Sequence, residues 1–357
     1  MHNKDDTIAL DRGRSAEWPV PELVRSIDPF SAETPLSADT TTTTPNELFY
    51  VRNHFPVPEP PTSVMLDGHV ARPRRFSLRD LQAFPHKTAT VTLECAGNGR
   101  VYLDPPARGV QWHLGAVANA RWTGVALADL LESVGVAESA EEVVFDGADR
   151  GIPEHGDREI PYQRSLRLDI AMHGDILVAF EMNGEPLPLD HGGPVRLIVP
   201  RWYGMASVKW LERISVLAEP FQGYFQVKDY VLPRADGGEP CREMEVRALI
   251  TSPAQDSVIT AGRIDIAGYC WSGYAPVSAV QVSTDGGTSW NPAEIRDADP
   301  SPYAWAPWQF RWYPEPGAHK IVARAFDGAG NAQPLDTVWN SVGYKNNGAV
   351  PVRVTVK

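Results

Sequence analysis

The residue type best suited to chemistry in this chain is a cysteine at what reads as the end of a strand. Cys95 lies in Thr92-Leu93-Glu94-Cys95-Ala96-Gly97-Asn98-Gly99-Arg100, directly after the alternating Thr90-Val91-Thr92-Leu93. A thiol followed by small residues and an arginine can be held as a thiolate and reached by a ligand. A buried, inert cysteine fits the same stretch. Upstream, Tyr50-Val51-Arg52-Asn53-His54 runs into Phe55-Pro56-Val57-Pro58. The two prolines stiffen the chain and can aim Arg52, Asn53 and His54 into a site; an ordinary surface loop is the alternative. Downstream, Asp190-His191-Gly192-Gly193-Pro194-Val195-Arg196 places two phosphate-binding side chains around a glycine pair that allows close backbone approach. Arg201 to Trp210 follows at once, with Ser207, Val208 and Lys209 near its end. A tight turn into a core strand explains the glycines of this stretch but not so many donors.

Together these segments supply Arg52, His54, Arg100, His191, Arg196 and Lys209 around one cysteine. The chain as a whole is acidic, with 45 Asp and Glu against 33 Lys and Arg and a formal net charge of −12. That balance argues against nucleic acid as a partner. Cations concentrated in such a chain imply an anionic ligand or substrate.

Several elements are legible around these residues. Ser77-Leu78-Arg79-Asp80 reads as a helix start, with Ser77 as N-cap. A second helix, capped by Thr123, would carry Leu127, Leu130, Leu131 and Val134 on one face and end at Gly135. Pro194 to Pro200 encloses a short apolar run, expected as a buried strand. Strands and helices do not alternate as βαβ units, so the expected class is α+β. From about 245 the texture turns all-β. Ile264/Ile266, Val280/Val282 and Val352/Val354/Val356 alternate, and Asp285-Gly286-Gly287 and Asp327-Gly328 mark hairpins. The expected organisation is an extended arm over 1–45, including the run Thr40 to Thr44, a catalytic domain over 46–240 and a β-sandwich over 245–357. The boundary falls in 233–247.

The chain has 357 residues, enough for two domains, and 43% of them are hydrophobic, enough for a large core. Its 32 prolines, near twice the usual share of about 5%, point to many turns. The three cysteines are too few and scattered for a disulfide framework, and their odd number fits a reducing compartment. No apolar run approaches the ~18 residues of a membrane span. The start Met1-His2-Asn3-Lys4-Asp5-Asp6 lacks the pattern of a signal peptide. A cytoplasmic location is expected.

Taken in order, these stretches resemble the sulfite oxidase family of molybdenum enzymes. Its arginine-asparagine-histidine-x-proline-x-proline motif is matched by 52–58, and its cysteine-alanine-glycine-asparagine motif by 95–98. Ala120-Arg121-Trp122-Thr123-Gly124, Met182-Asn183-Gly184-Glu185-Pro186-Leu187-Pro188, Val208-Lys209-Trp210-Leu211 and Lys228-Asp229-Tyr230 complete a series running over about 47–345. The resemblance implies a mixed catalytic domain followed by an Ig-like dimerisation domain. It implies molybdenum–molybdopterin as cofactor, with Cys95 as the protein's metal ligand. Tyr50, Val51, Arg52, Asn53, His54, Asp149, His191, Arg196, Ser207, Val208 and Lys209 would hold the pterin and its phosphate. Arg52, Arg100, Trp112 and Tyr230 would line an oxyanion pocket. The implied reaction is oxidation of sulfite to sulfate, with the electrons leaving to a separate acceptor or directly to oxygen, since no haem module is visible.

The chain departs from the family at two places. Sulfite-specific members carry an arginine just before an alanine-tryptophan pair in the second domain, whereas Ala304-Trp305 is preceded here by Ser301-Pro302-Tyr303. Gly99 stands where animal members have another arginine. A charged hydrogen bond contributes roughly 1.5–3 kcal/mol, so each change weakens the expected hold on sulfite. Other readings are reduction of nitrate or another S- or N-oxide on the same scaffold, a metal-free cysteine hydrolase with His54 or His191 as base, and a non-catalytic scaffold.

Overall fold

A computed structural model describes residues 18–36, 42–234, 237–296 and 299–357. The parts of the expected arm at 1–17 and 37–41 lie outside the described residues. The rest of that segment is more ordered than the sequence suggested. β1 (Val24–Ile27) and β2 (Phe30–Ala32) form a hairpin, and β2 pairs with β3 (Val51–Arg52). Phe30 and Ala32 bury against Trp18 and Val51, which anchors the chain just before Arg52.

The next elements are β4 (Ser63–Gly68), β5 (Arg74–Ser77), α1 (Leu78–Leu81), β6 (His86–Glu94), β7 (Val117–Ala126) and α2 (Leu127–Val134). They are followed by β8 (Glu142–Gly151), β9 (Ile160–Arg167), α3 (Leu168–Ala171), β10 (Leu177–Met182), β11 (Glu185–Pro186), β12 (Arg196–Ile198) and β13 (Leu211–Leu217). α4 (Tyr224–Val227), β14 (Val231–Leu232) and β15 (Glu239–Pro240) close this half. Two five-stranded sheets organise it: β11-β10-β7-β6 with β12 also on β10, and β5-β4-β13-β8-β9. The apolar stripe of α2, with Leu127, Leu130, Leu131 and Val134, packs into a core shared with Val143, Phe145, Ile214 and Val216.

The expected cap at Ser77 is present, since its hydroxyl and the Asp80 carboxylate each accept from the other residue's backbone N–H. Thr123 is not a cap. It sits inside β7 and hydrogen-bonds Thr88 across the ladder, because the strand runs on to Ala126 before the helix begins. Among the described residues helices are few and short, so the α+β architecture is mostly strand.

The remaining strands are β16 (Arg247–Ser252), β17 (Ser257–Ile259), β18 (Ile264–Trp271), β19 (Val277–Ser283), β20 (Asn291–Pro292), β21 (Glu294–Ile295), β22 (Ala306–Trp312), β23 (Gly317–Asp327) and β24 (Val352–Val356). They form two sheets, β16-β18-β22-β21 and β17-β24-β23-β19-β20. Ile266, Val280, Val282, Ile321, Val354 and Val356 meet in the core between them, the result of period-2 patterning on both inner faces.

Candidate active site

Cys95 follows the last residue of β6 and is buried, 8% exposed. Its backbone N–H donates to Ala116 O at 2.8 Å, and its carbonyl accepts from Asn98 N at 2.9 Å. The thiol therefore sits on a closed turn with little freedom. Burial raises its pKa, while Arg52 and the Gly97 N–H favour the thiolate. Gly97 leaves room for the Arg100 side chain. A Cβ at that position would lie 2.6 Å from the Arg100 guanidinium.

Two cavities meet at this sulfur. The deeper one has about 680 Å³ of empty volume, counting its open mouth, within the range of cofactor sites. It is lined by Tyr50, Arg52, Asn53, His54, Cys95, Asp149, His191, Arg196, Ser207 and Lys209, among others. The second is larger, about 1530 Å³ counted the same way; it is lined by Arg52, His54, Cys95, Arg100, Trp112 and Tyr230 and reaches the surface past Arg108 and His155. Segments far apart in sequence thus converge as expected. Val51 and Val208 do not line either cavity: Val51 packs under β1–β2, and Val208 joins the main core.

The deeper cavity is cationic and tightly wired. Arg196 donates to His191 O at 2.7 Å and Ser207 O at 2.9 Å, with Trp122 below its guanidinium. The Ser207 hydroxyl accepts from Val199 N–H at 3.0 Å. Lys209 donates to the Asn53 side chain and to Asp190 O. Burial and the neighbouring Arg196 hold the Lys209 ammonium well below the usual lysine pKa. Burial pushes Asp149 up, against the pull of Lys209. His191 donates from Nε2 to Asn46 O at 2.7 Å, and burial lowers its pKa to about 3. The glycine pair beside it serves the protein. A Cβ on Gly192, at φ 101°, would meet Lys209 at 2.7 Å, and one on Gly193 would meet Leu187 O at 2.1 Å.

The second cavity has a defined proton arrangement. Arg52 Nη2 faces His54 Nδ1 at 3.1 Å, and a guanidinium can only donate. Nδ1 therefore accepts, and Nε2–H donates to the Tyr230 oxygen at 2.5 Å. Burial, with Arg52 adding to it, holds His54 neutral. The Tyr230 hydroxyl proton remains for a ligand. With both ring nitrogens engaged, His54 is not a base for Cys95. Arg100 donates to Val110 O and Val342 O, at 2.9 and 3.1 Å, and lies over the Tyr344 ring. Trp112 is wholly buried. Tyr303 is in neither wall: its hydroxyl bonds the Asp175 carboxylate, and Arg201 stacks on its ring. The second domain reaches the cavity through Ser341, Val342 and Tyr344 instead.

Sequence reasoning missed Tyr162 and Met205 in the deeper wall, and Arg108, His155 and Tyr344 in the outer one. Apart from Met205, which lies within the 201–210 stretch, none lies in a motif, and only the fold brings them in. It also missed the partners of Glu94, which accepts from Asn98, Arg247 and Trp271.

The domain family described as "Oxidoreductase molybdopterin binding domain" matches residues 54–225, and "Mo-co oxidoreductase dimerisation domain" matches 239–357. Sulfite oxidase of Arabidopsis thaliana is 35% identical over 90% of this chain and 91% of its own length. Mitochondrial sulfite oxidase of Mus musculus is 36% identical over 93% of this chain, and the chain spans 65% of that relative's length. The solved sulfane dehydrogenase SoxCD of Paracoccus pantotrophus superposes with a TM-score of 0.79 at 29% identity, covering 93% of this chain and 86% of that one. The chain belongs to the sulfite oxidase family of molybdopterin-dependent oxidoreductases, and its cofactor is molybdenum–molybdopterin. Among the described residues, no helix is long and apolar enough to cross a membrane.

The cavity suits that cofactor on its own chemistry. Asn53 Nδ2, Arg196 Nε and Asp149 Oδ1 are buried there without a protein partner. Buried polar atoms of this kind call for a ligand. The two donors match phosphate and pterin oxygens, and the carboxylate oxygen matches a pterin N–H.

Proposed function

We propose that this protein oxidises sulfite to sulfate, with Cys95 as the molybdenum ligand. In balance, sulfite and water give sulfate, two protons and two electrons, and the electrons pass to a separate acceptor. The observation that carries this reading is the position of Cys95 where a cationic cavity suited to the cofactor meets a second cavity lined by Arg52 and Arg100 and open to the surface. When bound, molybdenum–molybdopterin supplies a two-electron redox couple and oxygen-atom exchange at the junction. Asn53, Arg196, His191, Ser207 and Lys209 would bind its phosphate and pterin ends, with Tyr50 and Asp149 beside them. Arg52 and Arg100 bring positive charge to the outer cavity. Tyr230 offers an O–H to a substrate oxygen, because neutral His54 donates to its oxygen. Trp112, wholly buried, forms an apolar part of the same wall.

The same reading takes 46–240 as the catalytic domain and 245–357 as the Ig-like domain through which two chains pair. The matched dimerisation family supports the pairing. A cytoplasmic location is supported by three thiols that form no disulfide. Molybdenum-loaded protein assayed with artificial redox dyes is expected to turn over sulfite far faster than nitrate. Nitrate reduction exceeding sulfite oxidation would overturn the assignment.

A further inference from the structure

Tyr230 has a backbone that needs explaining. Its φ is +56°, a genuine outlier for a bulky side chain. Such a conformation persists only where its surroundings over-determine it. Four contacts do so. The Asp229 carboxylate accepts from Tyr230 N–H at 2.8 Å, and Tyr230 O accepts from Cys241 N at 2.8 Å. The hydroxyl meets His54, and the ring stacks on Tyr344 with centroids 5.1 Å apart and 21° between planes.

Tyr344 belongs to the second domain and carries a second restraint. Its hydroxyl donates at 2.5 Å to the same Asp229 Oδ1 that holds Tyr230 N–H. Its ring centroid also lies 5.3 Å from Arg100 Cζ. The flanking backbone is fixed to the cysteine turn: Lys345 N donates to Ala96 O at 2.8 Å, Asn346 Nδ2 to Gly99 O at 2.7 Å, and Arg100 to Val342 O. No motif of the family resemblance includes Tyr344, and the cation expected near Tyr303 is absent from this wall.

We propose that Tyr344, through the Asp229 carboxylate, is the positioning residue by which the carboxyl-terminal domain sets Tyr230 and Arg100 for an oxyanion in the outer cavity. The inference deepens the sulfite reading and rests on it for the identity of the anion. Tyr344→Phe keeps the stack and removes one O–H donor, leaving Asp229 free to release Tyr230 N–H. Because Tyr230 meets sulfite and sulfate alike, anion binding suffers more than the chemical step.

The test uses molybdenum-loaded dimer or monomer as purified, with sulfate affinity measured by calorimetry beside sulfite kinetics. Tyr344→Phe is expected to raise the sulfite KM and the sulfate Kd by roughly tenfold, the factor of one charge-assisted hydrogen bond, with kcat within about twofold. Asp229→Asn is expected to do the same. The double variant should be no worse than either single, since both cut one interaction. Tyr313→Phe, on an exposed tyrosine, is the control. Unchanged KM and sulfate affinity in Tyr344→Phe, or effects that multiply in the double variant, would overturn the proposal. If the wild-type protein does not oxidise sulfite but Tyr344→Phe still weakens sulfate, the positioning role stands and the sulfite reading falls.

Discussion

Cys95 and the two histidines differ in how their surroundings set their protonation. The thiol is held in reach of Arg52 and Gly97 N–H, so a soft metal needs to displace one proton only. His191 and His54 are buried among cations and stay neutral. For His191 the folded pKa of about 3 lies below the unfolded value near 6.5. The unfolded chain therefore binds the extra proton first as pH falls. The contribution of His191 is intact above pH ~6.5 and is lost progressively towards pH ~3. Anion-free protein should lose thermal stability across that window, and His191→Gln should lose less of it. Equal slopes for the two proteins would contradict the burial argument. Residue identity was readable here because Cys95, His54 and Arg196 sit in local motifs. Tyr344 and Tyr162 were not readable, since each reaches the site through long-range packing and has ordinary neighbours in sequence.

The strand that carries Cys95 is clamped along its length. On β6, Thr90 donates to Asp299 at 2.7 Å and accepts through its carbonyl from Ser301, while Thr92 Oγ1 accepts from Trp305 N at 2.7 Å. At its end, Glu94 and Arg247 form a fully buried pair at 2.9 Å. Burial raises the Glu94 pKa, with Arg247 opposing it. Removing one partner of a buried pair costs about 3–5 kcal/mol, because the other charge is left unmatched. Arg247→Met should destabilise the protein by that amount in urea unfolding. Adding Glu94→Gln should restore part of it, and a simple sum of the two losses would contradict the pairing. The alternating residues of β6 announced a strand, and the 127–134 spacing announced α2. The cap assigned to Thr123 failed because β7 extends to Ala126, a ladder decided by Thr88 and Glu181 on neighbouring strands. Local pattern carries the period of an element, whereas its ends depend on its partners.

The two halves make one working unit. The second domain contributes Arg247 to the residue beside the cysteine and Tyr344 to the outer cavity. An all-β texture after 245 was evident from alternation and turns, but its part in the site was not, because Ser341 to Asn346 has no periodic pattern and Lys345 as its single charge. With a dimerisation family matched over 239–357, sedimentation equilibrium is expected to find two chains per particle. A single chain at every concentration tested would contradict that pairing. The chain carries a net charge of −12, yet Arg52, Arg100, Arg196 and Lys209 gather at the two cavities, which suits these cavities to a small anion.

The proposed reaction depends most on the bond between one cysteine sulfur and molybdenum. X-ray absorption at the molybdenum edge counts sulfur ligands directly, on loaded wild-type protein and on Cys95→Ser. The prediction is one fewer sulfur in the variant, with sulfite turnover reduced by more than the ~100-fold typical of losing an outer-shell partner. An unchanged sulfur count would show that Cys95 is not the ligand.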